Sequence, residues 1–80
     1  MSSVQLPQLP PDVVARVAAV HVDVEDATRL KAMGICVGRQ VQLVRAGDPL
    51  IVRVLGSRVG MSARVAEGVT VEPVHDAEEK

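Results

Sequence analysis

The sequence predicts a mainly β fold: a small barrel of about five short strands, with one short α-helix between the first and second strands and a single helical turn before the last. Three observations predict it. Valine supplies much of the apolar content, and a side chain stiff at χ1 fits a pleated strand better than a helix. The run Val41-Gln42-Leu43-Val44-Arg45 alternates as a half-buried strand does, and the turn residues Gly47-Asp48-Pro49 follow it. Upstream, Arg29-Leu30-Lys31-Ala32-Met33 reads as a short helix that stops at Gly34. Curling such strands into a barrel removes most of their open edges.

Taken in order, residues 1–5 read as a flexible N-terminus, residues 6–73 as the barrel domain and residues 74–80 as a flexible acidic tail. Leu6 to Asp12 is rich in proline, which fixes φ and biases its predecessor away from helix. This segment is expected to lie extended along the barrel with Leu6 and Leu9 inward. Val13 to Val22 is the first strand, with Ala15, Val17 and Ala19 on one face and Arg16 on the other. The imperfect alternation predicts a bulge near Ala18-Ala19. Asp23 is placed to cap the helix, and Glu25 and Asp26 favour the positive end of its dipole. Ala27, Leu30 and Met33 recur at helical spacing and should face the barrel. So short a helix needs tertiary burial, chiefly of Leu30, to persist.

Gly34 is expected to supply a left-handed cap, and Gly38 the turn into the second strand. There Val41 and Leu43 point in, and Gln40 and Gln42 point out. After the hairpin loop Ala46-Gly47-Asp48-Pro49, the residues Leu50, Val52 and Val54 face the core while Ile51, Arg53 and Leu55 face away. Gly56-Ser57 is read as the next turn and Arg58 to Met61 as a strand. Ser62 caps one helical turn, Val69 to Glu72 closes the barrel, and Pro73 ends the pairing.

Composition excludes several functions. The 80 residues are 48% hydrophobic, well above the range of disordered chains, yet contain no Phe, Trp or Tyr. Without aromatics the usual grooves for proline-rich peptides and the stacking platforms for single-stranded nucleic acid cannot be built. The formal net charge of −1 argues against nucleic acid as a partner, although Arg39, Arg45, Arg53 and Arg58 fall together in the middle of the chain. A lone cysteine, Cys36, cannot close an intramolecular disulfide and suits a reducing compartment. With no run of roughly 18 apolar residues and no basic-then-apolar leader, the expectation is a cytoplasmic protein without direct membrane insertion.

The chemistry-bearing residues are sparse. Met33 and Met61 read as core filler. His21, Cys36 and His75 are weak metal candidates, because none stands at the spacing of a ligand pair. No cofactor is required, though weak binding of a divalent transition metal is compatible with these three. Ser57, Ser62, Thr28 and Thr70 have no evident base, and no phosphate-binding motif occurs, so an enzyme is not expected. The outward residues Val44, Ile51, Arg53 and Leu55 form a candidate partner-binding face, while Gly34, Gly38, Gly47, Asp48 and Pro49 serve turns and caps.

The whole arrangement resembles the FeoA family, the small cytoplasmic partners of the bacterial ferrous iron transporter. The resemblance rests on Leu9-Pro10-Pro11, Ala15-Arg16-Val17, Arg29-Leu30, Met33-Gly34-Ile35, Gly38, Val41, Gly47-Asp48-Pro49-Leu50, Ala66-Glu67, Val69 and Val71. The chain departs from the family at Val37, where a proline is frequent, at the shortened Arg45-Ala46, and at Ser62-Ala63, where basic residues are frequent. The resemblance implies an SH3-like barrel, shared with the C-terminal domain of iron-dependent repressors. It also implies an accessory role in ferrous iron transport and iron homeostasis, by protein–protein interaction with the GTPase region of a FeoB-like transporter. The protein would then be peripheral at the inner membrane through that partner. A stand-alone metal-sensing domain related to the repressors, and a homo-oligomer, are the alternatives it leaves open.

Overall fold

Which side chains face inward follows from strand alternation, and the hydrogen-bond register fixes it residue by residue. The computed structural model describes residues 3–74. Six strands, β1 (Val4–Gln5), β2 (Val14–Val20), β3 (Gln40–Arg45), β4 (Leu50–Val54), β5 (Ser57–Met61) and β6 (Val69–Pro73), form one antiparallel sheet in the order β1-β6-β2-β3-β4-β5. Helix α1 (Val24–Ala32) joins β2 to β3, and the four-residue α2 (Ala63–Ala66) joins β5 to β6. The mainly β architecture is the expected one.

Ala15, Val17, Val41, Leu43, Leu50, Val52, Val54, Val69 and Val71 are all buried and line the interior with Leu30 and Ile35. No charged or polar side chain is buried among the described residues. The core is therefore purely apolar, and its stabilisation scales with the area removed from water.

Helix α1 starts and stops for local reasons. The Asp23 carboxylate accepts the Asp26 N–H at 2.9 Å, satisfying one of the orphan donors of the first turn. At the other end Ile35 N–H donates to Leu30 C=O at 2.9 Å and Gly34 N–H donates to Lys31 C=O at 3.0 Å. With Gly34 at φ +93 this is a Schellman cap, and buried Ile35 and Leu30 provide its hydrophobic contact.

Four details differ from the sequence expectation. Val4 and Gln5, read as part of a loose N-terminus, pair with Val71 and Thr70, because β6 offers a free edge on that side. Leu6–Gln8 forms a 3-10 turn rather than an extended segment, with the Leu9 N–H donating back to Leu6 C=O at 3.1 Å. Leu6 and Leu9 are nonetheless buried as expected. Pro73 does not end the pairing: it lies opposite Ala15, and Val74 N–H donates to Val14 C=O at 2.9 Å, since proline lacks only its own donor. Finally, the turn between β4 and β5 is Leu55-Gly56, one residue earlier than Gly56-Ser57, with both residues at positive φ (54 and 79). A two-residue loop of this kind matches the right-handed twist of its strands.

The bulge is present in β2: Val17 pairs with Val71 and Ala19 with Thr70, leaving Ala18 unmatched. A second irregularity in β3 leaves Val44 unmatched between Leu43 and Arg45.

Candidate functional surface

The β4–β5 hairpin tip positions the most exposed apolar side chain of the region. Leu55 is 65% exposed although its backbone sits in the left-handed conformation that disfavours residues with a Cβ. It is held there by the cap of α1: a Cβ added to Gly34 would lie 2.8 Å from Leu55 Cδ1, so the leucine packs over a position that only glycine leaves open. Arg39 completes the contact from the β3 side, its Nε donating to Gly34 C=O at 3.1 Å. The segment 36–39 is in turn laced onto β2, with Gly38 N–H donating to Val17 C=O and Val17 N–H donating to Arg39 C=O. Its outward residue Val37 is 64% exposed and shares an open depression with Cys36, Arg39 and Leu55.

A second shallow depression, on the other side of Leu55, is lined by Val14, Gln40, Gln42 and Arg53. Two members of the expected partner face, Arg53 and Leu55, are thus brought together. Ile51 is half-buried and lies beside the 45–49 loop, and Val44 is half-buried at the β3 bulge. Sequence reasoning missed Val37 and Val14 as exposed apolar residues. The available signal was a valine in the turn before Gly38, where a proline or polar residue is more usual.

The arginines have separate fates. Arg53 lies directly opposite Arg58 in the β4–β5 ladder, and Gln42 lies opposite Arg53 in the next. Among the described residues neither arginine forms an ion pair; the pair that occurs is Arg29–Asp26, at 3.6 Å within α1. Gln42 instead donates from Nε2 to Asp12 C=O at 2.8 Å, steadying a residue at φ 70.

Among the described residues, the weak metal candidates His21 and Cys36 belong to no converging group of ligands. His21 is exposed at the end of β2 and Cys36 is half-buried in the turn after α1, while His75 lies outside the described residues. No group of three or more His, Cys, Asp or Glu side chains converges among the described residues. Met61 is buried and Met33 packs against the core. The hydroxyl of Ser62 accepts the Val65 N–H at 3.2 Å, capping α2. No helix of the described residues is long and apolar enough to cross a membrane.

Comparison with known proteins places this surface in context. The family model for the FeoA domain matches residues 4–73. The fold is similar to the solution structure of the FeoA protein from Chlorobium tepidum, with 28% identity, 95% of this chain and 75% of that chain covered, and a TM-score of 0.85. A crystal structure of an iron uptake regulatory protein (FeoA) matches at 23% identity over 91% of this chain and all of that one, also at 0.85. The crystal structure of T. acidophilum IdeR shares the fold at 20% identity and a TM-score of 0.85, with 92% of this chain covered and 35% of that chain. No curated protein sequence matches.

Proposed function

The chain belongs to the FeoA domain family, and from that premise we propose that it is an accessory protein of ferrous iron transport that acts by docking on the cytoplasmic GTPase region of a FeoB-like transporter. The observation that carries the reading is Leu55, an apolar side chain presented at 65% exposure on a strained hairpin tip. The two-residue turn accounts for the backbone at Leu55 but not for an apolar side chain left at its tip, which suits a contact. Arg53 and Val37 flank it, and Ile51 lies beyond Arg53 on β4, beside the 45–49 loop; Val44, also expected on this face, lies at the irregularity of β3. In this role the protein works by shape and apolar contact, and a specific interface would cover on the order of 800 Å² on each partner.

The test is a binding measurement against the isolated GTPase region of the transporter. Leu55→Asn keeps a residue tolerant of the left-handed backbone while removing the apolar contact, and Val37→Asp alters the neighbouring surface. Together they are expected to weaken binding at least tenfold, as loss of an interface hot spot does. Unchanged affinity in a folded double variant would remove this face from the proposal. Calorimetric titration with ferrous iron, cobalt and zinc separates docking from direct metal sensing, which calls for stoichiometric uptake of a divalent ion.

A further inference from the structure

Strand β5 is the last strand of the sheet and has a neighbour only in β4. The register and the hairpin type determine which of its backbone groups are unused. A two-residue loop at positive φ closes on a hydrogen-bonded pair, here Val54 and Ser57. Paired positions alternate from there. Val59 and Met61 therefore exchange bonds with Val52 and Leu50. Arg58 and Gly60 belong to the non-bonded pairs, opposite Arg53 and Ile51, and their N–H and C=O groups point to the open edge. No loop or helix among the described residues supplies a partner to them, and both residues are exposed.

Two further features describe what would fit there. Beside the edge runs a cleft of about 200 Å³ between α1 and β5, walled by Leu30, Met33, Met61 and Val65 and by the ion-paired Asp26 and Arg29. On the outer face, the cross-strand row Val14, Gln42, Arg53, Arg58 ends at the vacant edge. Two arginines stand side by side at its end, with no carboxylate paired to either among the described residues. Like charges directly opposite each other are unfavourable, and an opposite charge in the next position of the row relieves them.

We infer that β5 is a strand-addition site for an extended acidic peptide segment of a partner. The added strand exchanges backbone hydrogen bonds with Arg58 and Gly60. It places an Asp or Glu opposite Arg58, on the outer face, and turns its alternate, apolar residues to the cleft side beside Val59 and Met61. An array of paired donors and acceptors at strand spacing is matched by polypeptide backbone, and alternate side chains supply the selectivity. Gly60 itself carries no side chain, and Ile51 Cδ1 lies 3.6 Å from where its Cβ would be. This surface is the sheet edge, not the hairpin tip around Leu55, and it stands or falls independently of the transporter reading.

The probe is the blocked peptide Thr-Val-Glu-Val-Thr, titrated at millimolar concentration into the isotope-labelled full chain and followed by amide resonances. The expected result is saturable shifts centred on the amides of Arg58 and Gly60. The peptide with Lys in place of Glu should bind roughly fivefold to tenfold more weakly, and methylation of the Glu amide nitrogen should abolish binding. Arg58→Glu should reverse the preference in favour of the Lys peptide. Equal binding of the Glu and Lys peptides, insensitivity to N-methylation, or shifts located elsewhere would overturn the proposal. So would movement of the Arg58 and Gly60 resonances on dilution without peptide, which would make a second copy of the chain the occupant. A change in those positions on truncation after Val74, without peptide, would make the chain's own acidic residues the occupant and overturn it equally.

Discussion

Asp48 Oδ1 accepts the backbone N–H of Ala63 at 3.1 Å, so the loop that precedes β4 caps the helix that follows β5. The Gly47-Asp48-Pro49 loop thereby does more than reverse the chain. Together with Ser62 it satisfies two donors of the first turn of α2.

Removing that link is expected to cost stability. Asp48→Ala should destabilise the fold by about 0.5–2 kcal/mol, the usual range for loss of a helix cap, and Asp48→Asn should retain most of it. Urea unfolding followed by far-ultraviolet circular dichroism measures both, since the chain has no tryptophan or tyrosine to report by fluorescence. Equal stability of the Ala variant and the parent would show the bond to be ornamental.

Gly34 and Leu55 are expected to be coupled. Gly34→Ala places a Cβ at φ +93 and 2.8 Å from Leu55 Cδ1, at an expected cost of about 1–2 kcal/mol from the backbone alone. In the background of Leu55→Asn the steric part disappears and the backbone part remains. A double-mutant cycle by urea denaturation should therefore give a nonzero interaction energy; additive effects would mean that the leucine simply moves aside.

Gly68→Ala should meet a harder steric clash than Gly34→Ala. Its Cβ would meet His21 C=O at 2.5 Å and Val22 Cγ1 at 2.6 Å, and a backbone carbonyl cannot rotate away as a side-chain tip can. Strand β2 and the entry to β6 are tied at this point by His21 N–H donating to Gly68 C=O at 2.7 Å. Overpacking of about 1–3 kcal/mol is expected, read as a lowered midpoint of thermal unfolding.

Arg58→Glu should raise stability. It converts the unfavourable cross-strand contact with Arg53 into a favourable one, for a gain of roughly 0.2–1 kcal/mol. The gain should shrink as salt is added, because both groups are exposed and screened. A gain that persists in concentrated salt would point to a cause other than charge.

Much of this architecture was legible because the strongest signals are local. Leu30 on a short capped helix, Gly34 at its end, and the alternation of β3 and β4 needed only spacing and turn chemistry, and Leu30, Val41, Leu43, Leu50, Val52 and Val54 are all buried. What escaped was decided by other parts of the chain. Val4 and Gln5 have no pattern of their own and are strand only because β6 has an open side. Leu55 continues the alternation of β4 in sequence, yet the hairpin takes it for the turn because twist favours a two-residue loop. The candidate surface was read in part for the same reason. Arg53 was correctly placed facing outward on β4, but nothing in the sequence announces that Val37 shares a depression with Leu55 from a segment eighteen positions away.

The unmatched Ala18 has a consequence for how this chain tolerates change. Val17 is an odd-numbered inward residue and Val20 an even-numbered one, and both serve the core because one position between them is skipped. The strand is thus read in two frames. Excising Ala18 would leave Val17 and Val20 two positions apart and both still on the core face, whereas flattening the bulge with the residue retained would turn one of them to water, so it is the register of this strand and not its length that the core enforces.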